Sequence, residues 1–462
     1  MLLRVVMPIR KWVHFWVCCF VGLALFVTTS TARAGTPHYV FAHYMVCYSD
    51  YGATVQGYEH DIQDAQAAGL DGFALDMPEW NGTDWYYTNN CELMYKAAEQ
   101  LGTGFKLFFS VEMTNTTSIV EMITHFAHRT NTFYYNGKLV VSTFGQNNAN
   151  WQNGVFSQLQ SNGISVFFAP FFWSTPVEEL PSYQDGMGIL NTYSNLLNGL
   201  FLFGAAGLPY ELVQCNSNYT AAVHQAGKLF MASASPSYWG SVQNSIGRRY
   251  FEFDGGEGTV MQWQGIIANQ PDWVEITTWN DFNESTYISP ISNPGIYQSG
   301  LQVPVRYSHA GYLELAKRYI AWYKTGVPPA TNKDALFYFY RTHSTNLVAS
   351  ATNDVPVAWF LGDVADVIYN TLFLTAPAQL KVVSGTNSAT YSLGAGLQQV
   401  RTPFAPGAQI FTLTRNGTQV LSAQGPPILS QITNYDYFTA SGFTYGLPVP
   451  INLNANPPVG AN

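Results

Sequence analysis

From residue 38 to about 329 one alternation recurs along the chain. A short apolar run is followed by a polar loop, an amphipathic stretch, and Gly or Asn before the next apolar run. The runs at 39–46, 72–77, 105–113, 139–145, 165–172, 188–193, 229–235 and 273–280 are short and rich in β-branched and aromatic residues, and they predict strands. Between them the helical period shows: Ile119, Met122, Ile123 and Phe126 fall on one face. The re-entry sequences at 68–72, 136–138 and 226–228 each set a Gly just before a strand, where a left-handed residue stops the preceding helix. Eight strands alternating with helices predict an α/β fold, a (β/α)8 TIM barrel over 35–329; a doubly wound open sheet is the alternative.

A helix at 309–325 closes this region, and Pro328-Pro329 ends it. Beyond it, segments 335–341, 365–374, 379–383, 389–392, 409–414 and 418–422 are short and β-prone, with turns between. Arg415-Asn416-Gly417-Thr418 is a hairpin signal, because Asn-Gly accepts the two positive φ angles of a type I′ turn. Residues 330–447 therefore predict an antiparallel β-sandwich, and 448–462, rich in Pro and Asn, a flexible tail.

Strand parity sorts the side chains further. In the third strand Phe105, Leu107, Phe109 and Val111 share one face, and Lys106, Phe108, Ser110 and Glu112 the other. The second strand sets Phe73, Leu75 and Met77 against Gly72, Ala74 and Asp76; the eighth sets Val274, Ile276 and Thr278 against Glu275, Thr277, Trp279 and Asp281. The apolar face must meet the outer helices, so the mixed face lines the interior. Each mixed face ends at its C-terminal tip in an acid: Asp76, Glu112, Asp281. Barrel enzymes carry their chemistry at that rim. The structural alternative for each is an acid satisfied by a Lys, a Tyr or a backbone N–H. Glu275, deeper in strand eight, is expected to be structural, with Lys106 as a partner.

Asp281 and Glu284 lie three apart in Trp-Asn-Asp-Phe-Asn-Glu-Ser, residues 279–285, directly after the eighth strand. On a helical turn both carboxyls project to one side. Two carboxyls in unlike environments are what glycoside hydrolysis needs: one holds a proton for the leaving oxygen, the other activates water or attacks the anomeric carbon. Asp281 beside polar Asn280 is expected to stay ionised, with Glu284 as the protonated acid; the assignment is open. His43 and Tyr44, near the end of strand one, are expected to reach the pocket, a buried hydrogen-bonded His43 being the alternative. Trp80, Trp85, Tyr86, Trp173, Tyr238, Trp239 and Trp279 fall in or beside rim loops, where aromatic rings can stack on sugar faces. Asn280 joins the expected substrate contacts.

Composition narrows the partners. Of 462 residues 47% are hydrophobic but only 11% charged, so the polar surface is Asn, Gln, Ser, Thr and Tyr, suited to neutral polymers. The net charge of −9 and the absence of a basic run argue against nucleic acid. Residues 1–34 resemble an export leader: Arg4, Arg10 and Lys11, an apolar stretch from Trp12 to Val27, then Ala32-Arg33-Ala34 before Gly35. A retained membrane anchor is the alternative; with cleavage, the protein is expected to be secreted or cell-wall associated, a monomer, and without stable membrane association. Cys47, Cys91 and Cys215 follow the leader in no metal or redox spacing. Cys47 with Cys91 is the expected bridge. No metal or cofactor is expected.

At these residues the chain resembles the fungal-type α-1,3-glucanases, or mutanases, of glycoside hydrolase family 71. The carrying stretches are 40–46, 67–75, 105–110, 140–144 and 273–285, the last being the most specific. The resemblance implies an inverting endo-hydrolase of α-glucan, with a barrel followed by a β-sandwich and with Asp281 and Glu284 as the catalytic pair. The chain departs from the family pattern at four places. Glu112 stands where Asp is more usual, Asn283 where Gly is, and Asp76 where Asn is; Leu190-Asn191-Thr192-Tyr193 lacks an expected Trp-Asp pair. Asn283-Glu284-Ser285 is also a glycosylation sequon, and Asn81, Asn115, Asn218 and Asn416 head others. A non-catalytic glucan-binding surface protein, or a hydrolase of another glucan linkage, are the competing readings.

Overall fold

A computed structural model describes residues 37–82, 86–147, 149–173, 180–241, 247–291, 307–352 and 354–447. The expected leader at 1–34, Trp85 and the expected tail at 448–462 lie outside the described residues.

Eight parallel strands form one curled sheet: β1 Val40–Met45, β2 Gly72–Met77, β3 Lys106–Val111, β4 Lys138–Thr143, β5 Val166–Phe168, β6 Gly199–Phe201, β7 Leu229–Ala234 and β8 Trp273–Ile276. The order is β5-β4-β3-β2-β1-β8-β7-β6, so the first and last strands lie side by side. An open doubly wound sheet does not pair its ends in this way. Between β5 and β6 the Asn198 N–H donates to the Phe168 carbonyl at 2.9 Å and the Phe201 N–H to that of Pro170 at 2.8 Å. Helices alternate with the strands. Thr54 and Asn115 cap two of them by accepting from the N–H three residues on, and Gly326 ends Ala310–Thr325 in the left-handed conformation at φ 71°.

One strand lies elsewhere than its pattern predicts. Residues 188–193 belong to the helix Tyr183–Tyr193, and β6 begins at Gly199. A short apolar run fits either period. Here a capping box decides: the Ser182 N–H donates to Asp185 at 2.7 Å while the Ser182 hydroxyl accepts from the Asp185 N–H at 3.3 Å. The missing Trp-Asp pair at 190–193 therefore concerns a helix, not a strand end.

The interior is layered. Phe41, Phe108, Phe133, Phe167 and Trp273 form an aromatic floor, with ring centroids 4.9 to 6.1 Å apart along Phe41–Phe108, Phe108–Phe133, Phe133–Trp273 and Phe167–Trp273. Above it sit His43, Ser110, Ser142 and Glu275, all buried. Outward residues such as Phe109 meet the helices, at 5.3 Å from Phe126. Parity thus holds along β1 to β3.

After Pro328-Pro329 the chain builds two four-stranded antiparallel sheets. The first runs Gly396–Pro403, Val367–Leu374, Ala335–Arg341, Thr439–Tyr445; the second runs Asn387–Leu393, Ala378–Ser384, Gly407–Arg415, Thr418–Ile428. Every residue of Ala335–Arg341 is buried, and alternation explains why. Leu336, Tyr338 and Tyr340 share a cluster with Leu380, Phe411 and Leu413 of the second sheet. Phe337 and Phe339 instead join the core of the first half, Phe339 lying 4.5 Å from Tyr312. The Asn416-Gly417 turn has φ of 51° and 78°, as a type I′ hairpin requires.

No disulfide joins Cys47 to Cys91. Both are thiols, and Cys91 is wholly buried with its Sγ 3.4 Å from the Met77 Sδ. Cys91 lies on the inward face of Tyr86–Leu101, which turns it toward β2.

Tyr338 and Phe411 stack at 4.6 Å across the two sheets. Phe411→Ala is expected to cost about 3–5 kcal/mol, read as a drop in denaturant midpoint. A loss below about 1 kcal/mol would mean that the sheets do not share a core.

Candidate active site

The turn after β8 is built by hydrogen bonds rather than by strand alternation, because the strand ends at Ile276. The Asp281 N–H donates to the Thr278 hydroxyl at 2.8 Å. One oxygen of Asp281 accepts from the Asn283 and Glu284 N–H groups at 3.0 and 3.2 Å. The Glu284 carbonyl accepts from the Trp239 N–H at 2.7 Å, and that of Asn283 from the Ser241 N–H at 2.9 Å. The turn is therefore tied to the short strand Tyr238–Gly240.

Glu284 has two partners that the sequence reading did not name as such. Tyr238 donates to it at 2.9 Å and Arg249 at 3.3 Å. With Trp173, Phe144, Phe203 and Leu202, these three line a cavity of about 280 Å³. Arg249 was missed; its sequence signal is a basic pair, Arg248-Arg249, followed closely by Glu252, Asp254 and Glu257.

Across the rim, Glu112 lines a second cavity of about 410 Å³ with Glu79, Trp80 and Asn81. Between the two, His43 is buried among acids: its Nδ1 lies 2.8 Å from Glu275 and its Nε2 3.6 Å from Asp76. Glu275 thus pairs with His43 and not with Lys106, whose ammonium instead lies over the Tyr39 ring.

The electrostatics follow from crowding. Burial opposes a charge on His43, yet Asp76 and Glu275 outweigh it and raise its pKa to about 10. Burial, then the Asp76 charge, push Glu112 up to about 7. Burial, then the Glu284 charge, push Asp281 up to about 7 against its two backbone N–H bonds. Glu284 is raised by burial too, but Tyr238 and Arg249 pull it down. Both carboxyls of the turn are thus raised, Asp281 by burial and the Glu284 charge and Glu284 by burial against Tyr238 and Arg249.

Not every candidate reaches this space. Tyr44 follows His43 and so faces outward, packing on Phe73 and donating to Asp61 at 2.9 Å. Trp279 also donates to Asp61, at 3.0 Å, and is fully buried. Trp239 is buried against Tyr437. Asn280 is spent on the chain after β1: it accepts from the Met45 N–H at 2.8 Å and donates to the Met45 carbonyl at 3.2 Å. These four lie outside both cavities. Trp80 is also largely core, packed on His125 and Phe126. Trp173 and Tyr238 do line the first cavity. The sequon residue Asn283 has its carboxamide oxygen buried.

A curled parallel sheet whose C-terminal rim gathers paired carboxyls beside aromatic-lined cavities is the frame of a sugar-cleaving hydrolase. The chain belongs to glycosyl hydrolase family 71, whose model matches residues 36–444, and it is a glycoside hydrolase. A glucan endo-1,3-alpha-glucosidase of Schizosaccharomyces pombe is 30% identical over 427 residues, 88% of this chain and 94% of that protein. A mutanase of Penicillium rubens is 29% identical over 426 residues, covering 88% and 89%. A solved GH99 endo-alpha-mannosidase of Bacteroides thetaiotaomicron aligns with a TM-score of 0.47 at 12% identity, over 62% of this chain and 97% of that one.

The His43 proton gives a pH signature. Its folded pKa, about 10, exceeds the ordinary 6.5, so its contribution to stability is complete below about 6.5 and is lost as pH rises toward 10. The melting temperature of wild type should exceed that of His43→Gln most below pH 6.5, with the gap narrowing up to pH 10. A gap that does not change with pH would refute the charged imidazole.

Proposed function

We propose that the protein is an endo-acting hydrolase of α-1,3-glucan that works with inversion through Asp281 and Glu284. The observation that carries this reading is the unlike surroundings of two carboxyls on one turn: Glu284 bonded to Tyr238 and Arg249, Asp281 crowded by the Glu284 charge. The names of the two relatives support the linkage. Asp281 delivers its proton to the glycosidic oxygen as the bond to the anomeric carbon breaks. Glu284, kept ionised by Arg249, takes a proton from water, whose oxygen forms the new bond on the opposite face. Tyr238 and Arg249 orient Glu284, and Trp173 offers a ring to a sugar. Glu112, at the other cavity, offers hydrogen bonds to hydroxyl groups, while Asp76 is buried beside His43. His43, with both ring nitrogens facing carboxylates, positions Asp76 from below.

We also read the eight parallel strands as a closed (β/α)8 barrel, supported by the β1–β8 pairing and the hydrogen bonds from 198 and 201 to 168 and 170. The two antiparallel sheets are read as a sandwich, supported by their common cluster. The protein is read as an exported monomer, with residues 1–34 as its leader. N-terminal sequencing of the exported chain, expected to begin at Gly35, tests the address; a retained Met1 would favour an anchor.

Asp281→Asn and Glu284→Gln should each lower reducing-end release from α-1,3-glucan by roughly a hundredfold or more. On an α-1,3-glucobiosyl fluoride, whose leaving group needs no proton, Asp281→Asn should keep most of its turnover and Glu284→Gln should not. NMR of the first product should show the inverted anomer. Tight polymer binding without turnover by wild type would instead support the non-catalytic reading, and a first product with retained configuration would reject inversion.

A further inference from the structure

The short strands Tyr238–Gly240, Arg249–Phe251 and Trp359–Leu361 form one small sheet with Arg249–Phe251 in the middle. Arg249 sits opposite Gly240 and Trp359; Phe251 sits opposite Tyr238 and Leu361. Residues paired in register share a face, so Tyr238, Arg249, Phe251 and Trp359 lie on one side. The ring contacts agree. Tyr238 stacks on Phe251 at 4.5 Å, and Phe251 meets Trp359 at 5.1 Å. The opposite face, with Trp239, Tyr250 and Phe360, closes on Tyr437.

The first face is the one that holds Glu284: Tyr238 and Arg249 line the 280 Å³ cavity. Trp359 stands one strand farther out and is 39% exposed. It is not on a loose loop. The Ala358 N–H donates to the Arg248 carbonyl at 2.7 Å, the Glu252 N–H to the Leu361 carbonyl at 3.0 Å, and Arg248 pairs with Asp354 at 2.8 Å. A large ring held rigidly beside a catalytic cavity, with much of its surface in water, is preorganised for a ligand with an apolar face.

We propose that Trp359 is an outer sugar-stacking subsite, supplied by the C-terminal half of the chain, for the neutral glucan strand that continues out of the Glu284 cavity. The occupant follows from continuity with that cavity and from the uncharged ring, which suits the C–H face of a hexopyranose. The inference rests on the hydrolase reading above.

The full-length chain with Trp359→Ala or Trp359→Phe is assayed on polymeric α-1,3-glucan and on a short oligosaccharide that fits within the cavity. Trp359→Ala should raise KM for the polymer about five- to tenfold with kcat nearly unchanged, leave the short substrate unaffected, and be largely rescued by Trp359→Phe. An unchanged KM for the polymer, or equal losses on both substrates, would overturn the subsite; equal losses would mark a packing role beside Phe251. Co-sedimentation with insoluble α-1,3-glucan separates this from the catalytic reading. If wild type turns over no glucan, the hydrolase reading fails. Polymer binding that is lost in Trp359→Ala would still support the subsite, whereas binding kept in the variant, or absent in both proteins, would reject it.

Discussion

Five carboxyl groups share the throat and rim of the parallel sheet with two cations. Asp76, Glu112, Glu275, Asp281 and Glu284 cannot all be ionised at close quarters in a medium that screens poorly. His43 and Arg249 decide which of them are. His43, between Glu275 and Asp76, neutralises the buried middle layer. Arg249 does the same for Glu284 at the edge. Among the described residues no cation is bonded to Asp281 or Glu112, and burial with a neighbouring carboxylate outweighs the more distant His43 charge and pushes both up to about 7. The unlike surroundings of the two acids after β8 follow from where the cations stand, not from the acids' own chemistry.

The fold serves this arrangement layer by layer. An aromatic floor of Phe41, Phe108 and Trp273 seals the interior beneath the charged layer. Above it, backbone groups do the aiming. The turn carrying Asp281 and Glu284 is held by its own N–H groups and by the strand at 238–240, which costs no side-chain freedom at the moment of reaction. The antiparallel half then takes part in the rim, because its strand at 359–361 completes the sheet that begins at Tyr238.

The aromatic count was a poor guide to the site, and the reason is geometric. Tyr44 and Trp279 lie within a few residues of His43 or of the turn at 281–284, and Trp239 is tied to that turn by its backbone, yet each side chain is turned into the packing. Nearness in sequence to an acid does not set direction. Trp173 and Tyr238 line the cavity because their backbone reaches it from the segments that follow β5 and β7, the latter paired directly with β8.

The strand–helix alternation, the inward parity of Asp76 and Glu275, the Asn416-Gly417 turn and the single turn that carries Asp281 and Glu284 were legible in the sequence. Each is local: it depends on period, on the backbone needs of a turn, or on spacing within a few residues. His43 and Tyr44, by contrast, neighbours on one strand, were expected to reach the pocket together although alternation sends them to opposite faces. The stretch at 188–193 was not legible, since a short apolar run has no period of its own and the Ser182 capping box settled it as helix. The free thiols, the Glu275–His43 pair, the seats of Tyr44, Trp239, Trp279 and Asn280, and Arg249 beside Glu284 were decided only in three dimensions. Their hydrogen bonds join residues 17 to 235 positions apart, and such distances are fixed by how the strands close on one another. Charge and proton then settle according to that closure, which no short stretch of sequence encodes.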